Sequence, residues 1–129
     1  MKVIRIPESD APQFDATIAK IVADAPGPVA VVFFGTELPD TQKSFCPDCY
    51  IADPLIRKAI LASPAAGTTT LVEVPVGNRD LWRNPANPYR THPKIMLARI
   101  PTLTLWTAEG PTTSLVEEEC ASMENLAKF

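Results

Sequence analysis

The sequence has little of what secreted, metal-binding or membrane proteins require. Three cysteines are too few, and too odd in number, for the disulfide framework of a small secreted domain. The longest apolar run, Val29–Phe34, is far shorter than the ~20 residues that span a bilayer, and Arg5 and Pro7 interrupt any signal-peptide core. The net charge of −3 gives no general attraction to nucleic acid or anionic membranes. We therefore expect a soluble, intracellular protein that binds neither nucleic acid nor membrane.

Proline, in contrast, is abundant. The chain of 129 residues contains 14 prolines, twice the average usage of ~5%, which excludes long uninterrupted helices. Hydrophobic residues make up 46% of the chain, enough to form a core and to exclude wholesale disorder. The length lies within the ~100–200 residues of an ordinary domain. We expect a single domain over residues 1–129, built from short elements.

Hydrophobic spacing predicts an α/β protein. The run Val29–Phe34 is apolar on both faces, which is typical of a central strand covered by helices on both sides. The predicted strands are residues 2–6, 29–34, 68–76, 102–107 and 112–116. Helices are predicted after Asp10, with Gln13 as its capping-box partner, after Cys46, and from Glu117 onward. A short helix is also predicted just before Ile100, after an irregular segment at residues 77–89.

The pair Cys46 and Cys49 carries the chemistry. Pro47 suits the first position of a helix, which makes Cys46 its N-cap. The Cys46 sulfur then faces free amides at the positive end of the helix dipole, which lowers the pKa of its thiol, while the charge of Asp48 opposes this and keeps the shift moderate. Cys49 lies one turn further on the same face, within disulfide distance. We predict that Cys46 is a nucleophile suited to reduction and that Cys49 resolves a mixed disulfide.

A zinc site is the main alternative for these two cysteines. Two thiolates at this spacing also suit Zn²⁺, but a complete site needs two further ligands. The sequence offers only Cys120 and His92, in no closely spaced pair, so we expect no metal. Cys120 is expected to be a small buried side chain, and His92 a surface residue. A non-catalytic binding module with structural or zinc-binding cysteines stays open as the second hypothesis.

Several motifs resemble those of a known family. The chain has a CxxC opening a helix after a strand that ends Phe33-Phe34-Gly35, Pro54 five residues past the second cysteine, and Ile100-Pro101-Thr102 entering a later strand. This pattern resembles the thioredoxin fold, a central mixed sheet flanked by helices on both faces. The runs SFCPDC at 44–49, WRNPANPYR at 82–90, IPTL at 100–103 and LVEEEC at 115–120 resemble, more narrowly, the thioredoxin domain-containing protein 17 family.

The resemblance implies a function and a mechanism. Members of that family are small cytosolic dithiol–disulfide reductases that receive electrons from NADPH through thioredoxin reductase and act on fewer substrates than ordinary thioredoxins. It implies no bound cofactor beyond a redox-active Cys46–Cys49 disulfide. It also implies that Pro101 is a cis-proline facing the CxxC and that the backbone of Ile100 pairs with a bound substrate. We expect a monomer whose partners are thioredoxin reductase and disulfide-containing proteins or small molecules.

Two positions depart from the family pattern. Phe45 stands immediately before Cys46, where the family usually has tryptophan, so it keeps an apolar surface but lacks the indole N–H. Val32 aligns with a buried aspartate of ordinary thioredoxins, so the base that helps Cys49 ionise must lie elsewhere. Our candidates are Asp48, Glu37 and Asp40. We also expect the loop at residues 36–45 to shape substrate access.

The segment from 79 to 99 is rich in basic residues. It holds five of them against Asp80 alone, with two aromatic residues interleaved, which is a mixture that nucleic-acid sites use. The overall negative charge and the absence of an RNA-binding motif favour a solvated flank or a surface for an acidic partner protein. The basic residues are Arg79, Arg83, Arg90, Lys94 and Arg99.

Overall fold

A five-stranded mixed sheet organises the chain in a computed structural model that describes all residues 1–129. The strands are β1 (Lys2–Arg5), β2 (Val29–Phe34), β3 (Thr70–Pro75), β4 (Thr102–Thr107) and β5 (Gly110–Val116). Their order is β1-β3-β2-β4-β5, with β1, β3 and β2 parallel, β4 antiparallel to β2, and β5 antiparallel to β4. Five α-helices accompany them: α1 (Phe14–Asp24), α2 (Pro47–Ala62), α3 (Arg79–Arg83), α4 (Pro88–Thr91) and α5 (Met123–Lys128). The predicted α/β class is therefore confirmed.

The central strand β2 separates two hydrophobic cores. Val31 and Phe33 point to one face, where they pack in a cluster with Phe14 and Ile18 of α1. Alternate residues point to the other face, where Val32 packs in a cluster with Ile56 of α2 and with Leu126 of α5. The all-apolar sequence of β2 is thus explained by helices on both faces, as predicted.

The first helix begins later than predicted. Residues Glu8–Gln13 form a 3-10 helix without a side-chain cap, and α1 starts at Phe14, so the predicted Asp10 N-cap and its capping box are wrong. Pro12 explains the difference, because proline disfavours helical geometry in the preceding residue and offers no N–H.

The last helix also begins later than predicted, at Met123 rather than at Glu117. Residues Glu117–Ala121 form a separate 3-10 helix, and Ser122 caps α5 by accepting a hydrogen bond from the Asn125 amide at 3.2 Å.

The segment before Ile100 also differs from the prediction. The helix in this region is α4, and residues 92–101 form turns and bends rather than a helix that reaches Ile100. Pro93 ends the helix, and the His92 ring accepts the amide hydrogens of Lys94 and Ile95 at 3.1 and 3.3 Å. The prediction that His92 is a surface residue is wrong. Only 14% of its side chain is exposed, and its ring packs edge-on against Phe14.

No helix combines the length and the apolar character needed to cross a membrane.

Candidate active site

The CxxC motif lies at the start of α2, as the sequence predicts. Cys46 has extended backbone geometry and is the N-cap, and Pro47 occupies the first turn. The Cys49 amide donates a hydrogen bond to the Cys46 sulfur over 3.3 Å. This contact places the Cys46 sulfur against the unpaired amides of the helix N-terminus, where a negative charge is stabilised.

The two thiols differ sharply in acidity. Hydrogen bonding from the Cys49 side chain, aided by backbone amides and opposed by burial and by the charge of Asp48, lowers the pKa of Cys46 to about 7. Hydrogen bonding to Cys46, followed by burial, raises the pKa of Cys49 far above its ordinary value. Near neutral pH the Cys46 thiol is therefore partly ionised, whereas the neighbouring Cys49 thiol keeps its proton.

Residues just before the motif hold Cys46 in place. Ser44 donates a hydrogen bond to the Gly35 carbonyl, and the Ser44 hydroxyl oxygen accepts one from the Cys46 amide at 3.1 Å. The Phe45 ring lies directly over Gly35, since a Cβ there would come within 2.6 Å of the ring. Sequence reasoning gave no role to Ser44 or Gly35. The signal for Ser44 was its position two residues before Cys46, where a serine hydroxyl commonly accepts a backbone N–H.

The Ile100–Pro101 segment faces the motif. The peptide bond between these residues is cis, as the resemblance implied, and the Ile100 carbonyl oxygen lies 3.9 Å from the Cys46 sulfur. Cys120 contacts the same segment: it is fully buried, and its sulfur lies 3.7 Å from the Pro101 carbonyl oxygen. Cys120 is thus a buried side chain, as expected, and burial raises its pKa to about 11.

A cavity of about 460 Å³ adjoins Cys49 between α2 and the loop at residues 36–45. Glu73, on β3, lines it together with Glu37, one of the three candidate bases, whereas Asp48 and Asp40 do not. Glu73 pairs with Arg57 and, at 4.0 Å, with Arg5. Sequence reasoning missed Glu73, although a single acid within an otherwise buried apolar strand was the available signal.

The remaining candidate residues do not form a second site. No group of three or more His, Cys, Asp or Glu side chains is arranged to hold a metal ion. The basic residues of the 79–99 segment have separate neighbours rather than a common one. Arg79 lies over the Phe45 ring, Arg90 over the Trp82 ring, Arg99 pairs with Glu117, and Lys94 lies beside Gly110.

Solved structures confirm the predicted thioredoxin fold. The reduced thioredoxin of Schistosoma mansoni superposes with a TM-score of 0.58 at 18% identity, covering 99% of this chain and 97% of that one. Thioredoxin O2 from Arabidopsis thaliana in its oxidized state gives a TM-score of 0.62 at 12% identity, covering 98% and 92%.

Sequence relatives define the family more narrowly. The thioredoxin-like protein Clot of Oryza sativa subsp. japonica is 32% identical over 112 residues, which cover 82% of this chain and 81% of that protein. Thioredoxin domain-containing protein 17 of Danio rerio is 33% identical over 101 residues, which cover 78% and 76%. The model of the thioredoxin domain in thioredoxin domain-containing protein 17-like proteins matches residues 10–129. The chain belongs to this family, and it is a thioredoxin-fold protein whose CxxC opens α2.

Proposed function

We propose that this chain is a dithiol–disulfide reductase that acts on protein or small-molecule disulfides. The observation that carries the proposal is the pairing of a low-pKa Cys46 with a protonated Cys49 across the first turn of α2. A thiol with a pKa of about 7 is substantially ionised at neutral pH, and it is also a stable leaving group in the later step.

Reduction begins at Cys46. Its thiolate attacks one sulfur of the substrate disulfide, a Cys46–substrate bond forms, and the other substrate sulfur leaves with the electron pair as a thiolate. The substrate backbone lies across Cys46, where it contacts the Ile100 carbonyl, which faces Cys46, and the apolar Phe45 ring.

Resolution follows from Cys49. Once Cys46 is bonded to substrate, it no longer carries the charge that holds the Cys49 proton. Cys49 loses its proton and attacks the Cys46 sulfur, the Cys46–Cys49 disulfide forms, and the second substrate thiolate leaves. The dithiol has then given up two electrons. The base that takes the Cys49 proton stays a prediction among Asp48, Glu37 and Asp40, and only Glu37 lines the cavity beside Cys49.

The recycling and the setting of the reaction belong to the same proposal. Electrons come from NADPH through thioredoxin reductase, and the protein works as a cytosolic monomer. Its substrate range is narrower than that of ordinary thioredoxins, because the loop at residues 36–45 lines one side of the cavity beside Cys49 and restricts access to it.

The test couples the purified protein to thioredoxin reductase, NADPH and hydroxyethyl disulfide. We expect sustained NADPH oxidation with the wild type, none with Cys46→Ser, and a trapped mixed disulfide with Cys49→Ser. Cys120→Ala is the matched control, since it also removes a buried thiol, and it should turn over like the wild type. Turnover that survives in Cys46→Ser contradicts the proposal. Stoichiometric zinc with no disulfide reduction by any reductant would favour the binding-module hypothesis instead.

A further inference from the structure

One cationic side chain beside Phe45 forms no ion pair in the structure. Arg79, exposed on α3, places its guanidinium 5.6 Å from the centre of the Phe45 ring, and Phe45 is the residue that precedes the nucleophile. Arg79 takes part in none of the ion pairs of the molecule and donates no side-chain hydrogen bond. The aromatic contact fixes the position of the charge but does not neutralise it.

Charge around Cys46 is consequently uneven. The carboxylate of Asp48 follows Cys46 on one side and raises its pKa, whereas the cation of Arg79 lies on the Phe45 side. Arg79 is not among the causes of the lowered pKa of Cys46. Its charge is therefore available to a bound molecule without being needed to form the thiolate.

We propose that Arg79 is a specificity residue that selects disulfide substrates with an acidic side chain next to the reacting cysteine. This inference rests on the proposed function and narrows its substrate class. A substrate whose sulfur meets Cys46 has its neighbouring side chains against the Phe45 ring, and a carboxylate there pairs with the guanidinium above the ring. A basic side chain in the same place meets a like charge and is disfavoured.

The expected size of the effect follows from exposure. An ion pair at an exposed position changes affinity by about two- to fivefold, and salt screens it. The preference for an acidic substrate should therefore be of that size at low ionic strength and should disappear at high ionic strength.

The experiment is a single-turnover assay with fully reduced protein, so that no recycling enzyme is involved. Two peptides differ only in having Glu or Lys beside a cysteine that is disulfide-linked to mercaptoethanol, and hydroxyethyl disulfide serves as the neutral reference. The wild type should reduce the Glu peptide about two- to fivefold faster than the Lys peptide. Arg79→Glu should reverse this order, and Arg79→Lys should keep it.

Arg83→Glu is the matched control. It makes the same change of charge on the same short helix, but the cation over the Phe45 ring belongs to Arg79 and not to Arg83, so the wild-type preference should persist. The pH profile of Cys46 alkylation by iodoacetamide, measured in Arg79→Gln, which removes the cation without adding a carboxylate, separates recognition from activation and should match that of the wild type.

The outcomes distinguish the two proposals. If the wild type reduces hydroxyethyl disulfide but treats both peptides alike, or if Arg83→Glu reverses the order as fully as Arg79→Glu, Arg79 has no such role. A shifted alkylation profile in Arg79→Gln would also overturn the inference, because Arg79 would then act through the thiolate. Failure to reduce any disulfide overturns the proposed function and this inference with it.

Discussion

Glu73 lies directly opposite Val32 in the parallel pairing of β3 with β2. Residues paired in this way project to the same face of a sheet, so the Glu73 carboxylate faces α2 and the cavity that Val32 also lines. Only 17% of the Glu73 side chain is exposed, and its two arginine partners come from β1 and α2. One acid thus links three elements beside the candidate active site.

Removing that charge should destabilise the protein. Glu73→Gln leaves Arg57 and Arg5 without their shared carboxylate, and we expect a loss of about 1–3 kcal/mol in the free energy of unfolding, measured by urea denaturation. Asp53→Asn is the control, because Asp53 pairs with the same Arg57 but is 55% exposed, and it should cost less than about 0.5 kcal/mol. Equal losses in the two variants would show that burial of Glu73 contributes nothing.

Neutralising Asp48 should make Cys46 more acidic. The Asp48 charge raises the pKa of Cys46, so Asp48→Asn should lower it below the present value of about 7. The ultraviolet absorbance of the thiolate, followed against pH, measures the shift. Asp40→Asn removes the same charge from the exposed loop and should leave the titration in place. A Cys46 titration that is unchanged in Asp48→Asn would contradict the electrostatic role of Asp48.

The stability of the reduced protein should rise with pH between about 7 and 9.0. Folding depresses the pKa of Cys46 from its ordinary 9.0 to about 7, so the unfolded chain binds more protons within that window. The contribution of Cys46 is complete above 9.0 and is lost as the pH falls through 7. Cys49 and Cys120 have raised pKa values and oppose it only above 9.0.

Denaturation of reduced wild type and reduced Cys46→Ser at a series of pH values checks this dependence. The rise should be present in the wild type and missing in the variant. Parallel curves for the two proteins would contradict the assignment of the low pKa to Cys46.

Adding a methyl group at Gly35 should disturb the site. The new Cβ of Gly35→Ala would come within 2.6 Å of the Phe45 ring, and overpacking of this kind costs about 1–3 kcal/mol. Gly67→Ala is the matched control, since nothing lies within 4 Å of that position. The double variant Gly35→Ala/Phe45→Leu should recover part of the stability that Gly35→Ala loses. Independent, additive losses in this double-mutant cycle would show that the two residues do not clash.

The boundaries of β2 and β4 could be predicted correctly from the sequence. Val29–Phe34 and Thr102–Thr107 are runs of β-branched and aromatic residues that are limited by proline or glycine, so local composition and burial agree. The N-cap position of Cys46 could also be predicted from local sequence. Proline is common at the first helical position, so Pro47 indicates the start of α2 independently of tertiary contacts.

The sequence predictions fail where local conformational preferences compete, or where residues that are distant in sequence come into contact. Near Pro12 the pattern of a helix continues, but the missing amide leaves only a 3-10 turn. His92 is covered because α1 presents Phe14 to it and Asp15 contacts its ring at 2.6 Å, a relationship that spans most of the chain. The two arginine partners of Glu73 lie on other elements, β1 and α2, so residue spacing within β3 could not reveal the charged cavity beside Cys49.

The unequal environments of the three cysteines also decide how the protein reacts with thiol reagents. Cys120 has no exposed surface and a pKa of about 11, and Cys49 is buried and keeps its proton, so the folded chain offers one reactive sulfur to an electrophile. A maleimide dye or spin label added in equimolar amount will therefore mark Cys46 selectively in the native sequence. The wild-type chain can be labelled at Cys46 without first removing the other two cysteines.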